Sequence, residues 1–179
     1  MQIIKQFGWV YYVGETADQL DEHKCGKWMY FFGDVEFAEK ICKAAVENGV
    51  VAESKHSDAP EGVCCFYSNG DDVEAHKRTI QFFLENNLIR KTKAGKLYNI
   101  SFKFDDQTRA GEYGELFQSE IKLDRFLDLP HQRFILAAFR PQDLLFHDGN
   151  VDHMGQSCRQ AESGRDHQRR IRPLALPLP

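Results

Sequence analysis

The chain contains two amphipathic helical patterns, and each follows a pair of strand-like segments. From Asp34 to Asn48 apolar side chains recur with the 3.6-residue period of a helix, and Gly49 provides a C-cap. A second helical pattern begins at Asp71, where Glu74 stands three residues later as in a capping box, and it ends near residues 86–87. The sequence therefore predicts two helices of similar length.

The segments around these helices are rich in β-branched and aromatic residues, which indicates strands. We predict strands at 3–13, 27–32, 50–56 and 62–68, and a hairpin of 88–93 with 96–104 that turns at Ala94–Gly95. No βαβ repeat with a glycine-rich loop accompanies them, so a dinucleotide-binding fold is not expected. The order predicts an α+β domain, in which both main helices pack on one face of an antiparallel sheet.

The balance of charges changes at Pro130. Residues 1–129 contain 12 Lys, 4 Arg and 22 acidic residues, whereas residues 130–179 contain no Lys, 7 Arg and 5 acidic residues. Five of the six prolines also lie in this second part. We predict a single α+β domain at 1–129 and an Arg- and Pro-rich tail at 130–179. The tail is interpreted either as non-native or disordered sequence, joined by a frameshift or read-through, or as a natural basic tail for protein or nucleic-acid contacts.

Composition excludes several classes of protein. Hydrophobic residues make up 42% of the chain, but no apolar run approaches the roughly 20 residues that span a bilayer. The N-terminus lacks a signal-peptide pattern, and the five cysteines show no CxxC spacing, so we expect a cytoplasmic protein with reduced thiols. We expect no metal site and no cofactor. The net charge of −4 argues against general nucleic-acid binding.

Polar residues that could take part in binding or catalysis are concentrated in two segments at strand ends, 53–57 and 103–109. If these ends lie together, their basic side chains form a pocket for phosphate or carboxylate, made by Lys55, His56, Lys103 and Arg109. Asp105 would orient a cation or act as a base, and His56 would transfer protons near neutral pH. The alternative is a solvated strand end with ordinary surface charges. His76, Trp9 and Trp28 are interpreted as core residues.

Several motifs in this order resemble a known family. They are Gly26-Lys27-Trp28-Met29-Tyr30-Phe31-Phe32, Ala52-Glu53-Ser54-Lys55, Val63-Cys64-Cys65-Phe66-Tyr67 and Phe102-Lys103-Phe104-Asp105. Over about residues 20–115 the chain resembles the basophilic leukaemia expressed protein family, whose fold is like that of translation initiation factor 4E. The resemblance implies a curved antiparallel sheet with a ligand groove on its concave side, where Lys27, Lys55, Lys103 and Asp105 approach one another. It does not imply mRNA cap recognition, because the paired loop tryptophans of the cap-binding protein are not evident.

Three functions remain open from the sequence. The first is a binding domain for a nucleotide or another phosphorylated or anionic ligand, in which Lys27, Lys55, Lys103 and Arg109 hold the anion. The second is a lyase-like enzyme acting on a phosphorylated substrate, with a lysine as base and His56 as acid. The third is a small protein-interaction or inhibitor module, whose acidic residues contact a basic partner; these residues are Glu112, Glu115 and Glu120.

Overall fold

The computed structural model describes residues 1–127. The predicted tail at 130–179, and the last two residues of the predicted domain, lie outside this range. The strands are β1 (Gln2–Gln6), β2 (Trp9–Val13), β3 (Cys25–Phe32), β4 (Glu53–Ser57), β5 (Gly62–Asn69) and β6 (Lys103–Phe104). The helices are α1 (Val35–Glu47), α2 (Val73–Glu85), α3 (Asp105–Arg109) and α4 (Asp124–Leu127). None of the helices in residues 1–127 has the length and apolar character that a membrane span requires.

The six strands form one sheet in the order β1-β2-β4-β5-β3-β6. Every neighbouring pair is antiparallel, which confirms the predicted α+β class with an antiparallel sheet. The chain order and the spatial order differ, because β3 lies between β5 and the short β6. Segments that are far apart in sequence therefore become neighbours in the sheet.

Both long helices pack on the same face of the sheet, and their bounds agree closely with the prediction. Ile41 of α1 and Phe83 of α2 belong to one buried cluster that also includes Tyr12, Trp28 and Phe66 of the sheet. The side chain of Asp34 accepts hydrogen bonds from two backbone N–H groups at the start of α1. The cap of α2 is Asp72, one residue after the predicted Asp71.

The predicted strand at 3–13 is wrong in one respect, because it is a hairpin of β1 and β2. Its two-residue turn consists of Phe7 and Gly8, which have φ values of 51° and 78°. A two-residue turn in which both residues have positive φ joins tightly twisted antiparallel strands. Phenylalanine rarely adopts this conformation, so the residue types did not reveal the turn.

The predicted hairpin at 88–104 forms only close to its predicted turn, where the N–H of Gly95 donates to the carbonyl of Thr92 at 2.8 Å. Its strand pairing is reduced to a single bridge between Lys91 and Leu97, and Tyr98 is 54% exposed. The later part of the segment bonds to a different partner, since the N–H of Phe102 donates to the carbonyl of Ile121 at 2.9 Å. The segment that contains Ile121 therefore bonds to Phe102 in place of the predicted strand at 88–93.

Candidate functional site

The face of the sheet opposite the two long helices carries a group of ionisable side chains. Successive residues of a strand point to opposite faces, so residues 53 and 55 of β4 share this face with residues 27 of β3 and 103 of β6. We call these side chains, together with Asp105, the lysine cluster: Lys27, Glu53, Lys55, Lys103 and Asp105. The sheet topology brings them together from three separate parts of the sequence.

Three members of the lysine cluster form one row across four strands, together with Tyr67. Lys103 lies opposite Lys27, Lys27 lies opposite Tyr67, and Tyr67 lies opposite Glu53. Neighbouring strands are about 4.8 Å apart, so adjacent members of the row are within reach of one another. Lys55 lies two residues beyond Glu53 on the same strand and face. The row places two ammonium groups side by side at one end and a carboxyl group at the other.

The three lysines of the cluster are buried. Lys27 is 2% exposed, Lys55 is 4% exposed and Lys103 is 3% exposed. The Nζ atom of Lys27 lies 3.4 Å from Oδ1 of Asp105, the first residue of α3. Charged groups lose favourable hydration when they are buried, so each needs compensating interactions inside the protein.

Aromatic rings surround the lysine side chains. The Nζ atom of Lys55 is 4.2 Å from the ring centroid of Trp9, and it is also within 6 Å of the rings of Tyr11 and Tyr67. A cation over an aromatic ring is attracted by the negative face of the ring. These rings hold the Lys55 ammonium group in a defined position on the sheet.

A second set of rings lies beside Lys103, at one end of the row. The Nζ atom of Lys103 is 3.5 Å from the ring centroid of Tyr113 and 5.4 Å from that of Phe117. Both rings belong to the segment that follows α3. The face of the sheet that α1 and α2 do not cover, which we call the helix-free face, therefore combines ammonium groups with aromatic rings.

Glu53 is the member of the lysine cluster that sequence reasoning did not select as a site residue. It is 6% exposed, and burial raises its pKa to about 7. The nearby charge of Asp105 also raises this pKa, whereas the charge of Lys55 opposes the rise. The strand alternation that pairs residues 53 and 55 was a signal in the sequence that could have identified it.

His56 lies on the opposite face of the sheet from the lysine cluster, which corrects its predicted place in the pocket. It is buried among the core residues beneath the helices, and its ring stacks against Tyr12. Its Nδ1 atom is 2.9 Å from the carbonyl oxygen of Ser57, and its Nε2 atom is 3.3 Å from the hydroxyl of Tyr12. Because the carbonyl oxygen can only accept, Nδ1 is the donor in the first of these contacts. Adjacent residues of a strand cannot both face one pocket.

Arg109 is placed differently from the lysines. It lies at the end of α3, where its guanidinium pairs with Asp106 and donates a hydrogen bond of 2.9 Å to the carbonyl of Glu22. These contacts hold Arg109 in an exposed position against the loop that precedes β3. The structure thus brings together four of the six predicted site residues: Lys27, Lys55, Lys103 and Asp105.

Other chemically interesting side chains belong to the core. The indole N–H of Trp28 donates to Nδ1 of His76 at 3.0 Å, and Nε2 of His76 donates to the carbonyl of Gly70 at 3.1 Å. Burial lowers the pKa of His76, which keeps its ring neutral. These contacts confirm that His76 and Trp28 are core residues. Trp9 is also buried, in the smaller apolar cluster on the helix-free face.

Within residues 1–127, no three His, Cys, Asp or Glu side chains gather as potential ligands of a metal ion. The lysine cluster itself consists of ammonium and carboxyl groups, with aromatic rings beside them. Comparison of the chain with protein families, with curated proteins and with solved structures returned no match.

Proposed function

We propose that the helix-free face of the sheet binds a small anionic ligand through the lysine cluster. The observation that carries the proposal is the cross-strand pairing of Lys27 with Lys103. Like charges that lie directly opposite on neighbouring strands destabilise a sheet, and both side chains are buried. An anionic group between them would add charge-assisted interactions to the ion pair that Lys27 makes with Asp105.

The aromatic residues support a more specific class of ligand. Aromatic rings lie beside the lysines, and the partly exposed ring of Tyr113 is of the kind on which a planar heterocycle stacks. A nucleotide joins a phosphate group to such a heterocycle. A nucleotide or a similar phosphorylated ligand therefore suits this face better than a simple aliphatic acid.

The position of His56 weakens the lyase-like alternative. That mechanism needs an acid beside the lysine that acts as base, but His56 lies across the sheet from all three lysines. The resemblance to the basophilic leukaemia expressed protein family implies a ligand groove on the same set of strands, and this agrees with the proposal. The proposal does not depend on that resemblance.

The test is a titration of the full chain with ATP, GTP and inorganic phosphate, followed by calorimetry and by thermal denaturation. A ligand that binds only the folded state raises the melting temperature by mass action. We expect Lys103→Met to weaken binding at least tenfold, because a hydrogen bond to a charged group is worth about 1.5–3 kcal/mol. The matched control is Lys40→Met, which changes an exposed lysine on α1 and should leave the affinity unchanged.

Loss of folding can be separated from loss of binding in this design. Lys103→Met keeps a long side chain and removes one member of the like-charge pair, so the variant should remain folded by circular dichroism. If none of the three ligands binds, or if Lys103→Met and Lys40→Met bind equally well, the proposal is wrong. Absence of binding would favour the protein-interaction module instead.

A further inference from the structure

Glu53 shares the helix-free face with the three lysines, and it is buried with them. Tyr67 of β5 lies directly opposite it, and Lys27 of β3 is the next member of the row. On the other side, β2 contributes Val13 at the paired position. Glu53 is therefore enclosed by the sheet on both sides.

The described charged groups that act on Glu53 come from two elements. Lys55 is on its own strand, two residues away, and its charge favours the ionised carboxylate. Asp105 belongs to α3, and its charge favours the protonated acid. The charges of Lys55 and Asp105 therefore shift the pKa of Glu53 in opposite directions, and the side chain is buried.

The two protonation states of Glu53 would affect an anion in opposite ways. An ionised carboxylate in the lysine cluster repels an incoming anion, and this repulsion is strong where water is excluded. A protonated carboxyl group has no net charge, and its O–H can donate a hydrogen bond to an anionic oxygen. Burial raises the pKa of Glu53 to about 7, so both states are accessible near neutral pH.

We infer that the lysine cluster binds its anion together with a proton on Glu53, so that Glu53 makes binding pH-dependent. This inference rests on the proposed function, because it concerns the same anion site. It adds Glu53 as the residue that sets the pH range in which the anion binds. The lysines attract the anion, and Glu53 determines the pH at which the anion is retained.

The experiment measures the affinity of the full chain for inorganic sulfate between pH 6 and pH 8. Sulfate stays fully ionised throughout this range, so any change in affinity comes from the protein. We expect affinity to fall about tenfold from pH 6 to pH 8, because the protonated fraction of a group with a pKa near 7 falls from roughly nine-tenths to roughly one-tenth over this range. In Glu53→Gln the affinity should be constant over this range.

Glu39→Gln is the matched control, because Glu39 is exposed on α1 at the opposite face of the sheet. This variant should keep the pH dependence of the unmodified protein. Sulfate affinity that is equal at all pH values would overturn the role of Glu53 and leave the anion site intact. Failure of sulfate and of all nucleotides to bind at every pH would overturn both proposals.

A second measurement covers the case in which Glu53→Gln does not fold. The unmodified protein is titrated with sulfate at pH 7 in buffers that differ in ionisation enthalpy, which reports the number of protons taken up. We expect uptake of roughly half a proton, because a group with a pKa near 7 is half-protonated before binding. An uptake of zero would contradict the inference.

Discussion

Replacing Glu53 with glutamine should stabilise the folded protein at alkaline pH, even without ligand. The amide has nearly the same shape as the carboxyl group but cannot ionise, so it removes the cost of burying a charge. In the folded protein the pKa of Glu53 is about 7, compared with an ordinary value of 4.5. At about 1.36 kcal/mol per pH unit, this difference of about 2.5 units is worth about 3 kcal/mol.

The sign of the effect follows from where the proton is bound. Between pH 4.5 and pH 7 the folded protein keeps the proton of Glu53, whereas the unfolded chain has lost it. The stability that Glu53 contributes is therefore complete below pH 4.5, and it is lost as the pH rises through 7. From pH 5 to pH 8, the free energy of unfolding of Glu53→Gln should increase relative to the unmodified protein by about 2–3 kcal/mol.

Urea denaturation at several pH values provides the measurement. His76 acts in the opposite direction, because burial lowers its pKa and its contribution is lost as the pH falls. The comparison of variant with unmodified protein at each pH removes this contribution, which both share. Glu39→Gln should show no such trend. A difference between Glu53→Gln and the unmodified protein that stays constant from pH 5 to pH 8 would refute the reasoning.

Two further predictions concern the fold. Gly70→Ala should lower the free energy of unfolding by about 1–3 kcal/mol, because its Cβ atom would collide with the ring of Phe104, while Gly33→Ala, which has open space, should change little in the same urea denaturation. Asp34→Ala should cost about 1 kcal/mol by removing the cap of α1, whereas Asp34→Asn should retain most of the stability because asparagine also caps helices; equal losses in the two variants would contradict the capping role.

The long helices could be predicted from the sequence because their signals are local. The spacing of apolar residues and the cap at Asp34 are both contained within the segment that becomes α1. The hairpin at Phe7–Gly8 could not be predicted in this way, because a phenylalanine with positive φ is stabilised by the strands around it. The pairing of β6 with β3 depends on contacts between residues 26–27 and 103–104, which are distant in the sequence.

The candidate site shows the same division between local and distant information. Lys55 and His56 are neighbours in sequence, and treating a strand end as one chemical unit placed both in the pocket. The alternation of a strand separates them, and the structure places His56 beneath the helices. Applied strictly, the same alternation would have selected Glu53 instead of His56 as the ionisable neighbour of Lys55 on this face.

Burial of the lysines contradicts one of the two interpretations that the sequence left open. A solvated strand end would leave Lys27, Lys55 and Lys103 exposed, but all three are at most 4% exposed. Burying an ammonium group costs several kcal/mol that other interactions must offset, and a sheet gains no stability from placing two such groups opposite each other. Ionisable groups held under these conditions are typical of functional sites. Burial of the three lysines therefore contradicts the solvated strand end, and it is the reason that we propose an anionic ligand for the lysine cluster.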